Sequence, residues 1–269
     1  MTMKKHIIYL SIFASALLTV SCGDFLTKEP ETTLSPKTYF SSKAELELWA
    51  NAFYNDILPN PSDLAELNAD DCGSATSLNT LQRGTRNPSS KSWNKSTWHP
   101  LRNINYMLEN NRCQDKEARE MYNGVAYFFR ALFYFEKVRM YGDIPWYDHV
   151  ISSSDKEALN RPRDPRGYVM LKVMQDLDNA YELLPAKWES DAVYHVSKDA
   201  ALALKSRAAL FEGTFRKYHA GTPFVPVDEQ VFDGVTISSE YFLREAADAA
   251  GKLDRGCLQL VPLDASGGV

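Results

Sequence analysis

The stretch RALFYFEKVRMYGDIPW, Arg130 to Trp146, decides how this chain is read. Extended upstream to Met121, it carries two apolar stripes at helical spacing. One runs through Met121, Val125, Phe128, Leu132 and Phe135, and the other through Gly124, Phe128, Ala131, Phe135 and Val138. A helix that faces water needs a single apolar stripe, whereas one apolar over most of its circumference must be covered from several directions. Gly142 then supplies a stop and Pro145 prevents the helix from resuming. The spacing therefore predicts a central helix over 116–141, inside an all-helical stack.

Helical periodicity continues on both sides of this segment. Upstream, Ser42-Lys43-Ala44-Glu45 has the capping-box pattern, and Leu46, Trp49, Phe53 and Ile57 follow on one face. Residues 59–92 hold Pro59, Pro61, Asp70-Asp71, Gly73, Gly84 and Pro88 with few apolar anchors, the mark of a long functional or mobile loop. A second helix is expected over 96–110, with Pro100 tolerable only in its first turn. Downstream, Met170, Val173, Leu177, Ala180 and Leu184 stripe a helix that Pro185 ends. Ala201, Leu204, Ala208, Phe211, Phe215 and Tyr218 stripe the next, with Ser197 as its N-cap. Phe242, Ala246, Ala249 and Leu253 mark the last. No hairpin is expected; residues 232–237 make a short strand at best. The fold class is all-α, a tetratricopeptide-like helical-repeat scaffold with long irregular loops, although no consensus repeat recurs at a fixed period.

The N-terminus places the chain in the export pathway. Lys4, Lys5 and His6 precede the uncharged run Ile7 to Val20, 14 residues long, which ends at Ser21-Cys22. A positive start, a short apolar core and a small residue before a cysteine form a secretory signal of the bacterial lipobox kind. A bilayer span needs about 20 apolar residues, so this run is too short to cross. Thr19 stands where a lipobox usually has leucine, and Leu18 lies one place early. Residues 1–21 are thus expected to be a lipoprotein signal peptide, Cys22 the lipidated residue, and 22–40 an extended tether. Three cysteines remain, Cys72, Cys113 and Cys257, with neither zinc nor CxxC spacing. They are expected to be buried small hydrophobes; a Cys72–Cys113 disulfide is the alternative.

Composition and motifs exclude several functions. The net charge of −5 is spread along the chain, without a Lys/Arg run, so no nucleic-acid partner is expected. There is no HExxH, GxSxG or Walker loop, and the 5 histidines show no ligand spacing. Asp70-Asp71 is the adjacent acidic pair that could suggest acid–base or metal work, and such pairs in loops are usually only solvated. No catalytic residue, no metal and no cofactor are expected, and the chain is not read as an enzyme.

Against this background, Gly124-Val125-Ala126-Tyr127-Phe128-Phe129-Arg130-Ala131, continuing through Phe135 to Val138-Arg139-Met140-Tyr141-Gly142-Asp143-Ile144-Pro145, resembles a hallmark of the SusD/RagB family. The hallmark is an EA-F-L-R-A helix closing in Y-G-D-V-P; Val125 stands where the family usually has glutamate. Cys22-Gly23-Asp24-Phe25-Leu26 with Pro30 is similar to the family's mature lipoprotein start. Trp98, Leu101-Arg102, Asn105 and Leu108-Glu109-Asn110 are similar to its second-helix motif. Arg163, Asp176-Leu177, Ala180 and Leu184-Pro185 resemble the next, and Ala200 to Lys205 with Glu212 to His219 complete the order.

The resemblance implies a cell-surface lipoprotein of the outer membrane, anchored to the membrane by lipid. It implies capture of nutrient oligosaccharide, or another oligomer, and delivery to a SusC-type TonB-dependent transporter. The alternative is a helical-repeat adaptor of the transporter complex without its own ligand site. Asp71, Arg83 and Trp93, in or beside the 59–92 stretch, are the candidate ligand-binding residues, since aromatic faces stack on sugar rings and polar groups fix hydroxyls. Trp49, Trp98 and Trp146 are expected in the core. Family members are about twice this length, so 41–269 is read as the N-terminal half of such a domain, truncated before the rest. A complete sugar site is therefore not expected in this chain alone, because the loop over 60–92 supplies at most part of one wall.

Overall fold

The computed structural model describes residues 39–59, 83–85, 93–188 and 194–257, the last four of these by backbone alone. The signal peptide, Cys22, nearly all of the tether, Asp71 and Cys72 lie outside the described residues, as does the side chain of Cys257. From Phe40 onward the chain forms one compact unit. Its elements are α1 (Lys43–Ile57), α2 (Lys95–Asn110), α3 (Lys116–Tyr141), the single-turn α4 (Lys156–Leu159), α5 (Arg166–Leu183), α6 (Lys198–His219), the strands β1 (Gln230–Phe232) and β2 (Val235–Ile237), and α7 (Ser239–Cys257).

Helix α3 lies at the centre, packed against α1, α2, α5 and α6; α5 in turn meets α6, and α6 meets α7. Its burial follows the two stripes but goes further. Tyr122, Ala126, Phe129, Phe133 and Tyr134 are buried as well, whereas Met121 and Leu132 are only half-buried. Gly124 allows the close approach of α5's end, where a Cβ would stand 3.0 Å from the Leu184 side chain. The core is therefore helix on helix throughout.

The turn after α3 is built from its own letters. Gly142 ends the helix at φ +73. Asp143 reaches forward to accept from the Arg166 backbone N–H at 2.8 Å, which caps α5, whose own N-cap residue is Pro165 and offers no side-chain bond. Ile144 exchanges backbone hydrogen bonds with Asp164 at 3.2 and 3.1 Å. Trp146 is buried and donates its backbone N–H to the Asp164 carboxylate at 2.7 Å. The motif is thus a joint that fixes where α5 starts.

Three features depart from the sequence reading. Pro100 is the sixth residue of α2, beyond its first turn. The carbonyl that loses its donor belongs to Ser96, at an exposed position, and Asn94 secures the helix start with a complete capping box. Secondly, β1 and β2 pair as an antiparallel hairpin, with Val231 opposite Thr236. Its turn is Asp233-Gly234, both at positive φ (+50 and +78), the preferred chemistry of a tight hairpin turn. Thirdly, Phe40 already belongs to the compact unit. It is buried beside Trp49 and Tyr106 and accepts the Arg112 backbone N–H, one residue earlier than the expected boundary. Cys113 is a buried free thiol, as expected of a small hydrophobe.

Candidate functional site

A cleft of about 580 Å³ opens where three segments meet: the start of α2, the loop 145–151 and the stretch from Leu159 to Arg163. Its aromatic wall is a chain of edge-to-face rings. Trp93 lies 5.0 Å from Trp98 and 4.9 Å from Tyr141, and Trp98 lies 6.3 Å from Tyr147. Trp93 is 41% exposed, so its ring is available to a ligand. Behind these rings the Lys137 ammonium sits against Phe133, Trp98 and Tyr141, and burial holds its pKa below the usual lysine value.

The floor is rigid, and the reason is Arg130. Its guanidinium grips Asp176 by two hydrogen bonds of 2.7 Å and also reaches Asn105 Oδ1 and the Asp148 carbonyl. Burial opposes this charge, but the Asp176 carboxylate outweighs it and holds Arg130 above the usual arginine pKa. Asn105 donates onward to the Tyr147 and His149 carbonyls at 3.0 and 3.2 Å. Tyr134 donates to the Tyr147 carbonyl and accepts its N–H. Glu109 accepts from Val150, and Arg102 donates to the Ile151 carbonyl. Residues 147–151 have no regular structure of their own, so these side chains hold the loop in place of a ladder.

Two arginines border the opposite side. Arg161 forks onto Asp164 and lies over the Tyr147 ring at 5.7 Å. Arg163 lies over the Trp93 ring at 4.9 Å. One group is left without a partner: the Trp98 indole nitrogen is buried and makes no hydrogen bond among the described residues. An unsatisfied buried donor costs roughly 1–3 kcal/mol.

Of the three candidates from sequence, Trp93 lines this cleft. Arg83 is exposed in a short turn with Gly84 and is not part of the lining. Asp71 lies outside the described residues. Trp98, expected in the core, is half-buried and forms a cleft wall instead, because it sits in the projecting first turns of α2. Trp146 is core, and Trp49 is half-buried with its indole N–H donated to the Asn103 carbonyl. Tyr147, Arg161 and Arg163 were not singled out as ligand residues. Their signal was available in Arg161-Pro162-Arg163, two cations in a proline-bounded connector between helices. Among the described residues no group of His, Cys, Asp and Glu could hold a metal ion.

The SusD-like_3 family profile, described as "Starch-binding associating with outer membrane", matches residues 24–210. The SusD-like protein P2 of Formosa agariphila is 28% identical over 250 residues, covering 86% of this chain and 48% of that protein. A SusD-like carbohydrate binding protein of Bacteroides fragilis superposes with a TM-score of 0.59 at 16% identity, over 81% of this chain and 41% of that one. A laminarin binding SusD-like protein superposes with a TM-score of 0.54 at 17% identity, over 72% and 47%. The chain spans about half the length of the curated relatives it matches.

Proposed function

The chain belongs to the SusD-like family of carbohydrate-binding proteins, and from that premise we propose that it is a cell-surface lipoprotein that holds oligosaccharide in the Trp93–Trp98 cleft for a SusC-type TonB-dependent transporter. The observation that carries this reading is the cleft itself. It has a partly exposed tryptophan, a second tryptophan with an unpaired N–H, and a floor braced by buried hydrogen bonds. Rings that are fixed before the ligand arrives lose little freedom on binding, which favours a shallow site. An adaptor that only docked protein would have no use for a concave site of this kind. In this reading the chain supplies a sugar site of its own, in place of the incomplete one expected from sequence. Among the described residues, the cleft walls come from α2 with Trp93 before it, the 145–151 loop and residues 159–163.

The role is binding. Among the described residues no serine, threonine, cysteine or carboxylate lines the cleft, and no group there could hold a metal ion. Titration of the whole chain with a panel of oligosaccharides, read by tryptophan fluorescence, tests the reading. Saturable binding is expected, weakened about tenfold in Trp93→Ala, equivalent to ~1.4 kcal/mol. Equal binding by wild type and variant would move the site elsewhere. Delivery is tested separately: the protein should co-purify from membranes with a TonB-dependent barrel, and its recovery alone would leave the transporter role without support.

A further inference from the structure

Resting on the reading of the cleft as a glycan site, we infer that its ligand is an anionic oligosaccharide, carrying carboxylate or sulfate groups on its sugar rings. The chain as a whole is acidic, with 35 Asp and Glu against 30 Lys and Arg. The cleft reverses that balance: Lys95, Arg102, Arg161 and Arg163 line it, and no carboxylate does. The nearby acids are turned to other partners. Asp164 is engaged by Arg161 and the Trp146 N–H, Asp176 by Arg130, and Glu109 by the Val150 N–H. Arg161 is therefore neutralised within the fold. Arg102 gives one N–H to a carbonyl, and Arg102, Arg163 and Lys95 form no ion pair among the described residues. Among the described residues, these three cations in the cleft have no counter-charge.

Hydrogen-bonding capacity points the same way. A neutral sugar presents hydroxyls that both donate and accept, so sites for it need acceptors. Here the amide acceptors are already used. Asn94 Oδ1 caps α2 by accepting from Thr97 and Ser96, and Asn105 Oδ1 accepts from Arg130. What the charged side chains offer is donors: the Arg163 guanidinium, the free arm of Arg102 and the Lys95 ammonium, beside the His99 and His149 rings. A carboxylate or sulfate is an acceptor with no proton to place, and it forms charge-assisted bonds with a guanidinium fork. The stacking of Arg163 over Trp93 sets that fork beside an aromatic face. One sugar can then lay its C–H face on the ring and its anion on the guanidinium.

Matched pairs of ligands test the inference on the whole chain. Oligogalacturonate is compared with its methyl ester, and a sulfated galactan oligosaccharide with its desulfated form. In at least one pair the anionic member should bind about tenfold tighter, a gap that shrinks as salt rises from about 50 to about 500 mM. The two pairs separate carboxylate from sulfate. Arg163→Gln should remove most of the gap by weakening the anionic member more than the neutral one, and Arg163→Lys should restore part of it, since lysine keeps the charge without the fork. Equal affinities within both pairs, with Arg163→Gln moving neither, would overturn the anionic ligand; a Trp93→Ala effect persisting in that case would leave the glycan site standing. Absence of binding by all four ligands removes both readings. Inorganic sulfate or free galacturonate competing as well as the oligosaccharides would overturn the oligosaccharide part and reduce the cleft to a simple anion site.

Discussion

Gly167 has no room for a methyl group. A Cβ there would stand 2.0 Å from the Arg216 guanidinium and 2.8 Å from Ile237. Arg216 is only 1% exposed and cannot swing aside, since it donates to Glu212 at 3.0 Å, to the Asp228 carbonyl at 2.7 Å and to Gln230 at 2.9 Å. Glu212, fully buried, also accepts from Arg166. Overpacking typically costs about 1–3 kcal/mol, and separating a buried ion pair about 3–5. Gly167→Ala is therefore expected to destabilise the protein by ~3 kcal/mol, lowering the melting temperature by roughly 6–12 °C in a chain of this size. Calorimetry checks it, and an unchanged transition would mean that Arg216 has an alternative seat. None of this was legible in sequence. Glu212 and Arg216 sit four apart on a helix and read as a solvated surface pair. Their burial is decided by Arg166, 46 residues away from Glu212, and periodicity carries no information over that distance.

At the scale of elements the sequence was far more readable. Helix α3 begins and ends where spacing, Gly142 and Pro145 put it, because an apolar surface on nearly every face leaves one packing solution. Phe135 lies in both stripes, is 1% exposed and meets Phe211 of α6 edge-to-face at 5.6 Å. Phe135→Ala should cost about 3–5 kcal/mol in a denaturant or thermal melt; a melt within error of wild type would show that α3 is not the central element. The capping box of α1 was equally legible, being a local interaction. Glu45 accepts from the backbone N–H of Ser41 and Ser42, bonds that are stronger to the carboxylate than to the acid, and its pKa is held below the usual 4.5. A depressed pKa stabilises the fold above the unfolded value and loses that contribution as pH falls through the folded one. NMR titration of Glu45 should show this low midpoint, and Ser41→Ala, which removes the hydroxyl that also donates to the carboxylate, should move it part of the way back toward 4.5. The hairpin went unread although Asp233-Gly234 is its usual signature, because three-residue strands carry too little alternation to stand out.

Across the whole molecule, the order of motifs along the chain was enough to read the family, whereas the cleft was not readable. Trp93, Tyr147 and Arg163 are far apart in sequence, and it is the Arg130–Asn105 brace that brings their segments together. The proposed membrane attachment is a separate matter, since Cys22 lies outside the described residues. Among the described helices none is long and apolar enough to cross a membrane. The proposed lipid attachment falls on Cys22, the residue of the lipobox-like start. Each buried methylene of an acyl chain contributes about 0.8 kcal/mol, and stable anchoring takes two or more chains. Replacing the thiol with a hydroxyl removes the thioether on which lipoprotein acylation begins. Cys22→Ser should therefore abolish incorporation of labelled fatty acid and move the protein from the membrane fraction to the soluble one, with its thermal transition unchanged. Continued membrane association of the unlabelled variant would show that another segment or a partner holds it, and would overturn the lipidated start.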